Sequence, residues 1–190
     1  MNTPSHVAVN FLVLAKKGKP QWSLPIVMGS LMPDIPIYLF YFYQKIIAGM
    51  SERTIWVELY FRPSWQNFFD PFHSFPVLLL AATLSYRLGR TGLVLFFFSM
   101  FLHSICDMPL HNDDAHRHFF PISEYRFLSP LSYWDSRHYG GLVSIIESLL
   151  VLCFSVIIWF RDKTRWHKAV PVLVIFFSFF GYFVAMFLWS

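Results

Sequence analysis

Six ionisable side chains lie within or beside apolar segments of this sequence and are the first candidates for chemistry. They are His6, Asp34, His73, His103, Asp107 and Glu147. Ionisable residues within membrane-spanning segments are energetically costly, so they usually have a function. Imidazole and carboxylate ligands from separate helices suit Zn²⁺, Mn²⁺ or Fe better than Ca²⁺ or Cu(I). We therefore predict a divalent transition-metal site, with Zn²⁺ as the first choice, because a bound cation offsets the charge of buried carboxylates.

His103 and Asp107 form the most specific local pattern. Four residues apart, an imidazole and a carboxylate share one face of a helix and can grip one metal ion. The alternative is a His–Asp hydrogen bond that fastens two helices together. A run of further potential ligands follows, namely His111, Asn112, Asp113, Asp114, His116 and His118. The alternative for that run is a solvated loop.

The other candidates stand in different local settings. Asp34 lies between two prolines, and a helix broken in this way at membrane depth is tolerated where it lines a cavity. The alternative is that Asp34 caps the helix that follows. His73 precedes Ser74, which is expected to cap the next helix while His73 points into the bundle or lies at the interface. Glu147 has no basic partner in its own segment, so it would be protonated or very costly if it stayed unpaired.

The segments that position these side chains are apolar. They run roughly over 5–15, 24–48, 75–86, 91–106, 141–160 and 169–189. The chain is 56% hydrophobic and only 14% charged, whereas about a quarter of residues are charged in soluble proteins, so it needs lipid as its solvent. We predict an all-α fold, a single integral-membrane domain over 1–190, built as a polytopic transmembrane helical bundle with about five membrane-embedded helices. The stretches 75–86 and 91–106, each short of the ~20 residues of a full span, are expected to form a hairpin turned at 87–90.

The net charge of +4 is concentrated in clusters, which indicates membrane topology rather than nucleic-acid binding. Lys and Arg are frequent in the turns 16–19, 87–90 and 161–168. The positive-inside bias places all three on the cytoplasmic side. The segments 49–72 and 107–140 then fall on the opposite side, and their Trp, Tyr, Phe and Pro content is typical of interfacial segments.

The six candidates are expected at similar depths in the membrane. We estimate the depth of each from its distance to the nearest basic turn, at about 1.5 Å per helical residue. This distance is roughly 15 Å for His6, at most about 22 Å for Asp34, roughly 20 Å for His73, His103 and Glu147, and roughly 26 Å for Asp107. That layer is in the outer half of a hydrocarbon core about 30 Å thick. A lipid headgroup can reach a site at this depth more easily than a soluble polymer can.

Several short motifs occur in a characteristic order. They are Thr3-Pro-Ser-His6, Met32-Pro-Asp34, His73-Ser74, His103-x-x-x-Asp107 and Phe120-Pro121. This order resembles the YdjM-like membrane-bound metal-dependent hydrolase family over roughly residues 3–147. In that family, patterns of the type GH, LPDxD, THS and HxxxD precede a Pro-containing loop. The family is in turn distantly similar to zinc-dependent phospholipase C, an all-helical fold.

The resemblance implies a set of ligands. The implied metal ligands are His6, Asp34, His73, His103 and Asp107, with Asp34 or Asp107 bridging metals. Glu147 corresponds to the carboxylate that comes last in the ligand order. The one further histidine ligand of that order would be His111, His116, His118 or His138. We predict the bacterial inner (cell) membrane as the localisation. Two positions depart from the family pattern, because Pro36 replaces the second Asp of LPDxD and Phe68 replaces the first His of an HRGxTHS pattern.

The leading functional hypothesis is a metal-dependent hydrolase that cleaves phosphoester bonds of a lipid or lipid-linked substrate through a metal-activated water. The candidate catalytic carboxylates are Asp34, Asp107 and Glu147, and the candidate metal ligands are His6, Asp34, His73, His103, Asp107, His111, His118 and Glu147. Arg117, Arg126 or Arg137 is expected to bind the phosphate. The expected partners are membrane lipids, and no protein partner is predicted.

Other classes of protein fit the sequence differently. A non-catalytic membrane scaffold or assembly factor, with a structural or degenerate His/Asp cluster, is the main alternative. An intramembrane di-iron oxidase fits poorly because the chain contains no His-His pair. A lipid phosphatase with a PSGH motif also fits poorly, because Pro4-Ser5-His6 lacks the glycine.

Overall fold

The chain folds into helices joined by turns and one long loop. The structure, a computed structural model, describes residues 1–161 and 163–188, and in the last helix it leaves out the side chains of Trp166, Tyr182 and residues 184–188. The helices are α1 (Thr3–Leu14), α2 (Ser23–Leu31), α3 (Ile35–Phe42), α4 (Pro63–Phe69), α5 (Phe75–Arg87), α6 (Thr91–Asp107), α7 (Gly140–Arg161) and α8 (Arg165–Leu188). Two π-helical segments (Tyr43–Ile47 and Thr54–Leu59) and four 3-10 turns (Pro20–Trp22, Asp70–Phe72, Met108–Leu110 and Ser136–His138) complete the secondary structure. The described residues form no β-strand, so the predicted all-α class is confirmed for them.

Helix α1 lies at the centre of the bundle and contacts α2, α6, α7 and α8. Its start is favoured by Pro4 in the first turn, where the missing N–H has no helical partner to lose. Val7, Ala8 and Phe11 are buried and pack with apolar residues of α2, α7 and α8. The side of α1 that carries His6 and Asn10 is equally buried. A polar stripe is therefore held inside the bundle by the apolar packing around it.

The predicted hairpin at 87–90 is confirmed. Helix α5 begins where the Ser74 hydroxyl accepts a hydrogen bond from the Val77 amide, as expected for a capping serine. It ends at Arg87, and Gly89 adopts a positive φ of 67°, which a residue without a Cβ reaches at little cost. Helix α6 then runs back alongside α5.

Prolines break the long apolar stretch 24–48. Helices α2 and α3 are separated at Met32–Asp34, and the two halves are bent by 51° relative to one another. Pro36 stands in the first turn of α3, where proline is tolerated. Because the turn holds Asp34 at the break, a carboxylate is placed between two apolar helices.

The described residues contain two helices long and apolar enough to cross a membrane. They are Thr91–Leu110, with a mean hydropathy of 1.8, and Gly140–Arg161, with a mean hydropathy of 2.5. If each bent pair is one span, Pro20–Leu31 with Ile35–Ile47 and Pro63–Phe72 with Phe75–Arg87 raise the number to four. The membrane helical bundle is therefore supported, and the predicted number of about five membrane-embedded helices stays a prediction. Shorter apolar helical stretches are Thr3–Leu14 and His167–Gly181, and residue 189 of the predicted stretch 169–189 lies outside the described residues.

The two ends of the bundle differ in character. At one end, the Arg161 side chain donates hydrogen bonds to the backbone carbonyls of Phe11 and Leu12. Arg161, the first residue of the basic turn 161–168, therefore lies beside the end of α1 that leads into the basic turn 16–19. At the other end, residues 43–72 pack against residues 108–139, through bonds such as that from the Arg126 guanidinium to Gln66 Oε1. The predicted grouping of 49–72 with 107–140, away from the basic turns, agrees with this arrangement.

Candidate metal centre

Four side chains from three parts of the chain converge at the end of α6. They are Asp34, His73, His103 and Asp107, called the four-residue group below, and each offers one ligand atom within 4.8 Å of the others. Asp34 comes from the α2–α3 break, His73 precedes α5, and His103 and Asp107 belong to the last turns of α6. The imidazoles of His73 and His103 are completely buried, whereas 17% of the Asp34 side chain is exposed. This group can hold a metal ion.

In each of the two buried imidazoles, those of His73 and His103, the Nε2 atom faces the four-residue group and has no hydrogen-bond partner. His103 Nδ1 lies 2.8 Å from the Ser30 carbonyl oxygen, so this nitrogen carries the proton. His103 Nε2 lies 2.9 Å from Asp107 Oδ2 and 3.5 Å from Asp34 Oδ1 but makes no hydrogen bond. His73 has the same arrangement, with Nδ1 3.5 Å from the Phe69 carbonyl oxygen and an unpartnered Nε2 3.9 Å from Asp107 Oδ2. Imidazoles that bind metal ions are commonly oriented by such a bond at the other nitrogen.

Asp107 is the centre of the wider cluster. Its Oδ2 faces His103 and His73, while its Oδ1 lies 2.9 Å from His6 Nε2 and 3.3 Å from His111 Nε2. The Met1 amino group also approaches Oδ1, at 2.8 Å. His6 stacks on His103 with ring centroids 3.5 Å apart. His6 and His111 thus contact Oδ1 of Asp107, and neither is a member of the four-residue group.

Asp34 forms the accessible edge of the group. The Thr3 hydroxyl donates to Asp34 Oδ2 at 2.5 Å, and the same hydroxyl lies 2.7 Å from the hydroxyl of Tyr38. Asp34 occupies the position before α3, yet its side chain makes no capping hydrogen bond. The alternative interpretation of Asp34 as a helix cap is therefore wrong, because its carboxylate is turned towards Thr3 and His103.

Glu147 lies near the group but not in it. It is buried on α7, where Oε1 accepts the backbone amide of Asn2 at 2.8 Å and Oε2 has no hydrogen-bond partner. Asn2 follows Met1, whose amino group contacts Asp107, so two residues at the start of the chain separate Glu147 from the four-residue group. Its predicted catalytic role stays a prediction.

The histidines of the loop after α6 occupy different places. His116 is buried, stacks on His73 at 3.7 Å between ring centroids and has Nδ1 3.5 Å from Asp70 Oδ1. His118 is also buried, against Phe75, and burial lowers its pKa to about 4. His138 lies at the start of α7, where Nδ1 is 3.0 Å from Asp135 Oδ2. His118 and His138 are therefore outside the four-residue group, although His116 lies directly behind one of its imidazoles.

The three arginines considered as phosphate ligands all bind protein acceptors. Arg117 is buried and donates to Asp70, Glu124 and Asn67. Arg126 donates to the Ala115 carbonyl and to Gln66, and Arg137 donates to Asp135. The structure turns none of these three guanidinium groups towards the four-residue group.

Sequence reasoning missed several polar residues that surround the site. Asn10 donates to Ser99, the Ser30 hydroxyl lies 3.1 Å from the Ser99 hydroxyl, and all three residues are fully buried. Asn10 and Ser99 each stand one helical turn from a candidate, His6 and His103 respectively. A polar residue at a spacing of four from a ligand, in an otherwise apolar helix, was the available signal.

No protein-family model, curated protein or solved structure matches this chain. What the site can do therefore follows from its own side chains. Two carboxylates and two imidazole Nε2 atoms form a donor set typical of Zn²⁺ and related divalent metals. The Met1 amino group forms an ion pair with Asp107 Oδ1, whereas Asp107 Oδ2 and the Asp34 carboxylate face imidazoles. Among the residues that the structure describes, no Lys or Arg side chain forms an ion pair with Asp34 or Asp107.

Proposed function

We propose that this chain is a membrane-embedded, metal-dependent hydrolase acting on phosphoester bonds of a lipid or lipid-linked substrate. The observation that carries the proposal is the pair of buried Nε2 atoms of His73 and His103. Both lack hydrogen-bond partners; His103 Nε2 faces the carboxylates of Asp34 and Asp107, and His73 Nε2 faces that of Asp107. Leaving such polar atoms unsatisfied costs about 1–3 kcal/mol each, and a metal ion removes that cost.

The side chains divide the chemistry between them. When bound, a divalent metal supplies Lewis-acid chemistry that lowers the pKa of water and neutralises charge on a phosphoryl oxygen. His73, His103 and Asp107 are the buried ligands that hold it, and Ser30 orients His103 through its carbonyl. Asp34, at the exposed edge, is placed to accept a proton from the attacking water. Zn²⁺ is our first choice of metal, with Mn²⁺ or Fe as alternatives.

A lipid substrate is supported by the surface around Asp34. Tyr38, whose hydroxyl reaches the Thr3–Asp34 pair, is 58% exposed, and Leu39 and Phe42 on the same helix are 58% and 54% exposed. Helices α7 and α8 also expose many large apolar side chains, which suits contact with acyl chains. The resemblance of the motif order to the YdjM-like family supports the same class of reaction. A lipid could therefore reach Asp34 from within the membrane.

Metal analysis of the detergent-purified protein tests the first half of the proposal. We expect stoichiometric transition metal in the wild type under metal-replete conditions and its loss in His103→Ala and Asp107→Ala. His138→Ala is the matched control, because this histidine also contacts an aspartate but lies outside the four-residue group. A wild-type protein without metal, or equal losses in His103→Ala and His138→Ala, would contradict the proposal.

Hydrolysis assays test the second half. We expect the metal-loaded wild type to cleave bis(p-nitrophenyl) phosphate or a phospholipid, and Asp34→Asn to lose most of that activity. Asp113→Asn, a change of an exposed aspartate in the loop after α6, serves as the control. Metal binding without cleavage of either substrate would favour the second candidate function.

That second candidate is a non-catalytic membrane scaffold in which the metal, or the cluster itself, is structural. The observation in its favour is the engagement of Arg117, Arg126 and Arg137 with protein acceptors, which leaves no arginine of these three for a phosphate. In that case metal removal lowers the stability of the protein and abolishes no reaction.

The orientation in the membrane is also part of the proposal. We place the basic turns on the cytoplasmic side and the four-residue group towards the opposite face of a bacterial inner (cell) membrane. Single cysteines at Lys17 and Asp113, in a variant with Cys106 and Cys153 replaced by serine, should react with an impermeant reagent from opposite sides. Labelling of both from one side would overturn the orientation.

A further inference from the structure

An open groove runs along the contact between α2 and α6, at the end of the bundle that carries the basic turns. Its volume is about 710 Å³. It is lined by Leu24, Pro25, Met28, Gly89, Arg90, Thr91, Gly92, Leu93 and Phe96. This α2–α6 groove is at the opposite end of both helices from Asp34 and Asp107, so it is separate from the candidate metal centre.

Two glycines explain why the groove exists. At Gly29 the two helices touch, since a Cβ atom there would lie 2.3 Å from the Phe96 carbonyl oxygen. One turn closer to the basic end, Gly92 faces Pro25, and a Cβ at Gly92 would stand 3.7 Å from Pro25 Cγ, at ordinary contact distance. Close packing at Gly29 thus holds the helices together, while the missing side chain of Gly92 leaves the groove open.

The walls of the groove are apolar and exposed. Leu24 is 65%, Met28 42% and Leu93 48% exposed. A continuous apolar surface of this kind is unfavourable in water and suits an acyl chain or another apolar partner.

The basic end of the groove carries positive charge. Arg90 lines it directly and Arg87, the last residue of α5, precedes Arg90 by three positions, while neither α2 nor α6 has an acidic residue in its first turn. Within the described part of the chain, no carboxylate forms an ion pair with Arg87 or Arg90. The free amides at the start of α6 add to the positive potential. An apolar groove that ends at two unpaired arginines is complementary to a molecule with an acyl chain and an anionic head.

We propose that the α2–α6 groove binds one anionic phospholipid. The acyl chain lies against Leu24, Met28 and Phe96, and the phosphate is held by Arg90 with Arg87 nearby. This inference rests on the proposed membrane embedding but not on the metal centre or on hydrolysis. Juxtamembrane basic residues attract the anionic lipids of the cytoplasmic leaflet, which is the leaflet where we place these turns.

Native mass spectrometry of the detergent-purified protein, titrated with phosphatidylglycerol or with phosphatidylcholine of the same acyl chains, tests the charge. We expect the wild type to prefer phosphatidylglycerol, and Arg87→Gln/Arg90→Gln to bind it more weakly by about fivefold for each arginine. The control Lys163→Gln/Arg165→Gln removes the same charge from another basic turn and should keep the preference. Equal losses in the two double variants, or no preference in the wild type, would overturn the proposal.

Filling the groove tests the acyl-chain contact. Gly92→Leu places a side chain in the groove without a backbone clash, and we expect it to weaken binding of both lipids at least about tenfold. Gly141→Leu is the matched control, since Gly141 is also the second residue of a spanning helix and has no atom within 4 Å of a built Cβ. Unchanged binding in Gly92→Leu would overturn the assignment of the acyl chain. Recovery of the chain in the soluble fraction without detergent would instead contradict the membrane embedding itself.

Discussion

Two buried aspartates, Asp70 and Asp107, show different ways of placing a carboxylate inside this protein. Asp70 is completely buried, and its carboxylate accepts hydrogen bonds from both the guanidinium and the backbone amide of Arg117. Asp107 is 2% exposed and is surrounded by the imidazoles of His6, His73, His103 and His111. The Met1 amino group also contacts Asp107, but in the described part of the chain no arginine or lysine side chain does.

The difference separates a structural carboxylate from a candidate ligand. A guanidinium is always charged and satisfies a carboxylate inside the protein, so Asp70 requires no further partner. An imidazole, unlike a guanidinium, can release its proton and then offers a lone pair, so histidines around an aspartate form a set that can bind a cation. The loop after α6 connects the two sites, because His116 stacks on His73 and Arg117 follows it directly.

The largest expected effect is the loss of stability when Asp70 loses its arginine partner. Arg117→Met leaves Asp70 buried without its guanidinium partner, and breaking a buried ion pair in this way costs about 3–5 kcal/mol. Denaturant unfolding in detergent measures the loss. Arg137→Met is the control, because this arginine side chain is 74% exposed and its removal should change stability by less than about 0.5 kcal/mol. A similar small change for Arg117→Met would show that Asp70 is compensated in some other way.

The next effect concerns metal affinity on the Asp107 side. Asp107→Asn keeps the size of the side chain and removes its charge, and we expect metal to bind at least about a hundredfold more weakly. Calorimetric titration of the metal-free protein in detergent measures this change. Asp70→Asn is the comparison variant and should bind metal as the wild type does if it stays folded. Equal weakening in the two variants would remove the distinction between a structural carboxylate and a ligand.

Much of this comparison could not be predicted from the sequence. The spacing of His103 and Asp107 predicts that they share a helix face, and the glycine and basic residues at 87–90 predict the hairpin. The Asp70–Arg117 pair spans 47 positions and depends on how residues 63–72 pack against the loop after α6. Neither partner lies in a long apolar segment, so nothing in its local sequence marks it as buried.

The convergence of ligands was predictable in part. Matching depths brought together His6, Asp34, His73, His103 and Asp107, and the structure places these five in one cluster. Depth alone carries no information on which face of a helix points inward, so it grouped Glu147 with them although α7 directs that carboxylate to Asn2. The role of the Ser30 carbonyl was also hidden, because every residue has a carbonyl and only tertiary packing selects one.

Metal removal should have a smaller effect on stability than the loss of Arg117. Metal at ten times its dissociation constant is expected to stabilise the folded wild type by about 1.4 kcal/mol, since it binds the folded state alone. Thermal unfolding with metal and with a chelator measures the increment. The Asp107→Asn variant should show no increase in stability with metal. The Arg117→Met variant should keep the wild-type increase, because the hydrogen bonds of Arg117 go to Asp70, Glu124 and Asn67. An increment that persists in Asp107→Asn would place the metal elsewhere.

The smallest effect is expected at a third aspartate, Asp135, which resembles Asp70 in having an arginine partner but lies at the edge of the loop after α6. Hydrogen bonds from Arg137, and then from His138, hold the pKa of the Asp135 carboxyl below its usual range. A depressed pKa in the folded state contributes stability that is present above the unfolded pKa of about 3.9 and is lost as the pH falls below it. The difference in melting temperature between wild type and Asp135→Asn should therefore shrink as the pH falls from 6 to 3. A constant difference over that range would show that Asp135 acts through its shape and hydrogen bonds rather than its charge, unlike Asp70 and Asp107.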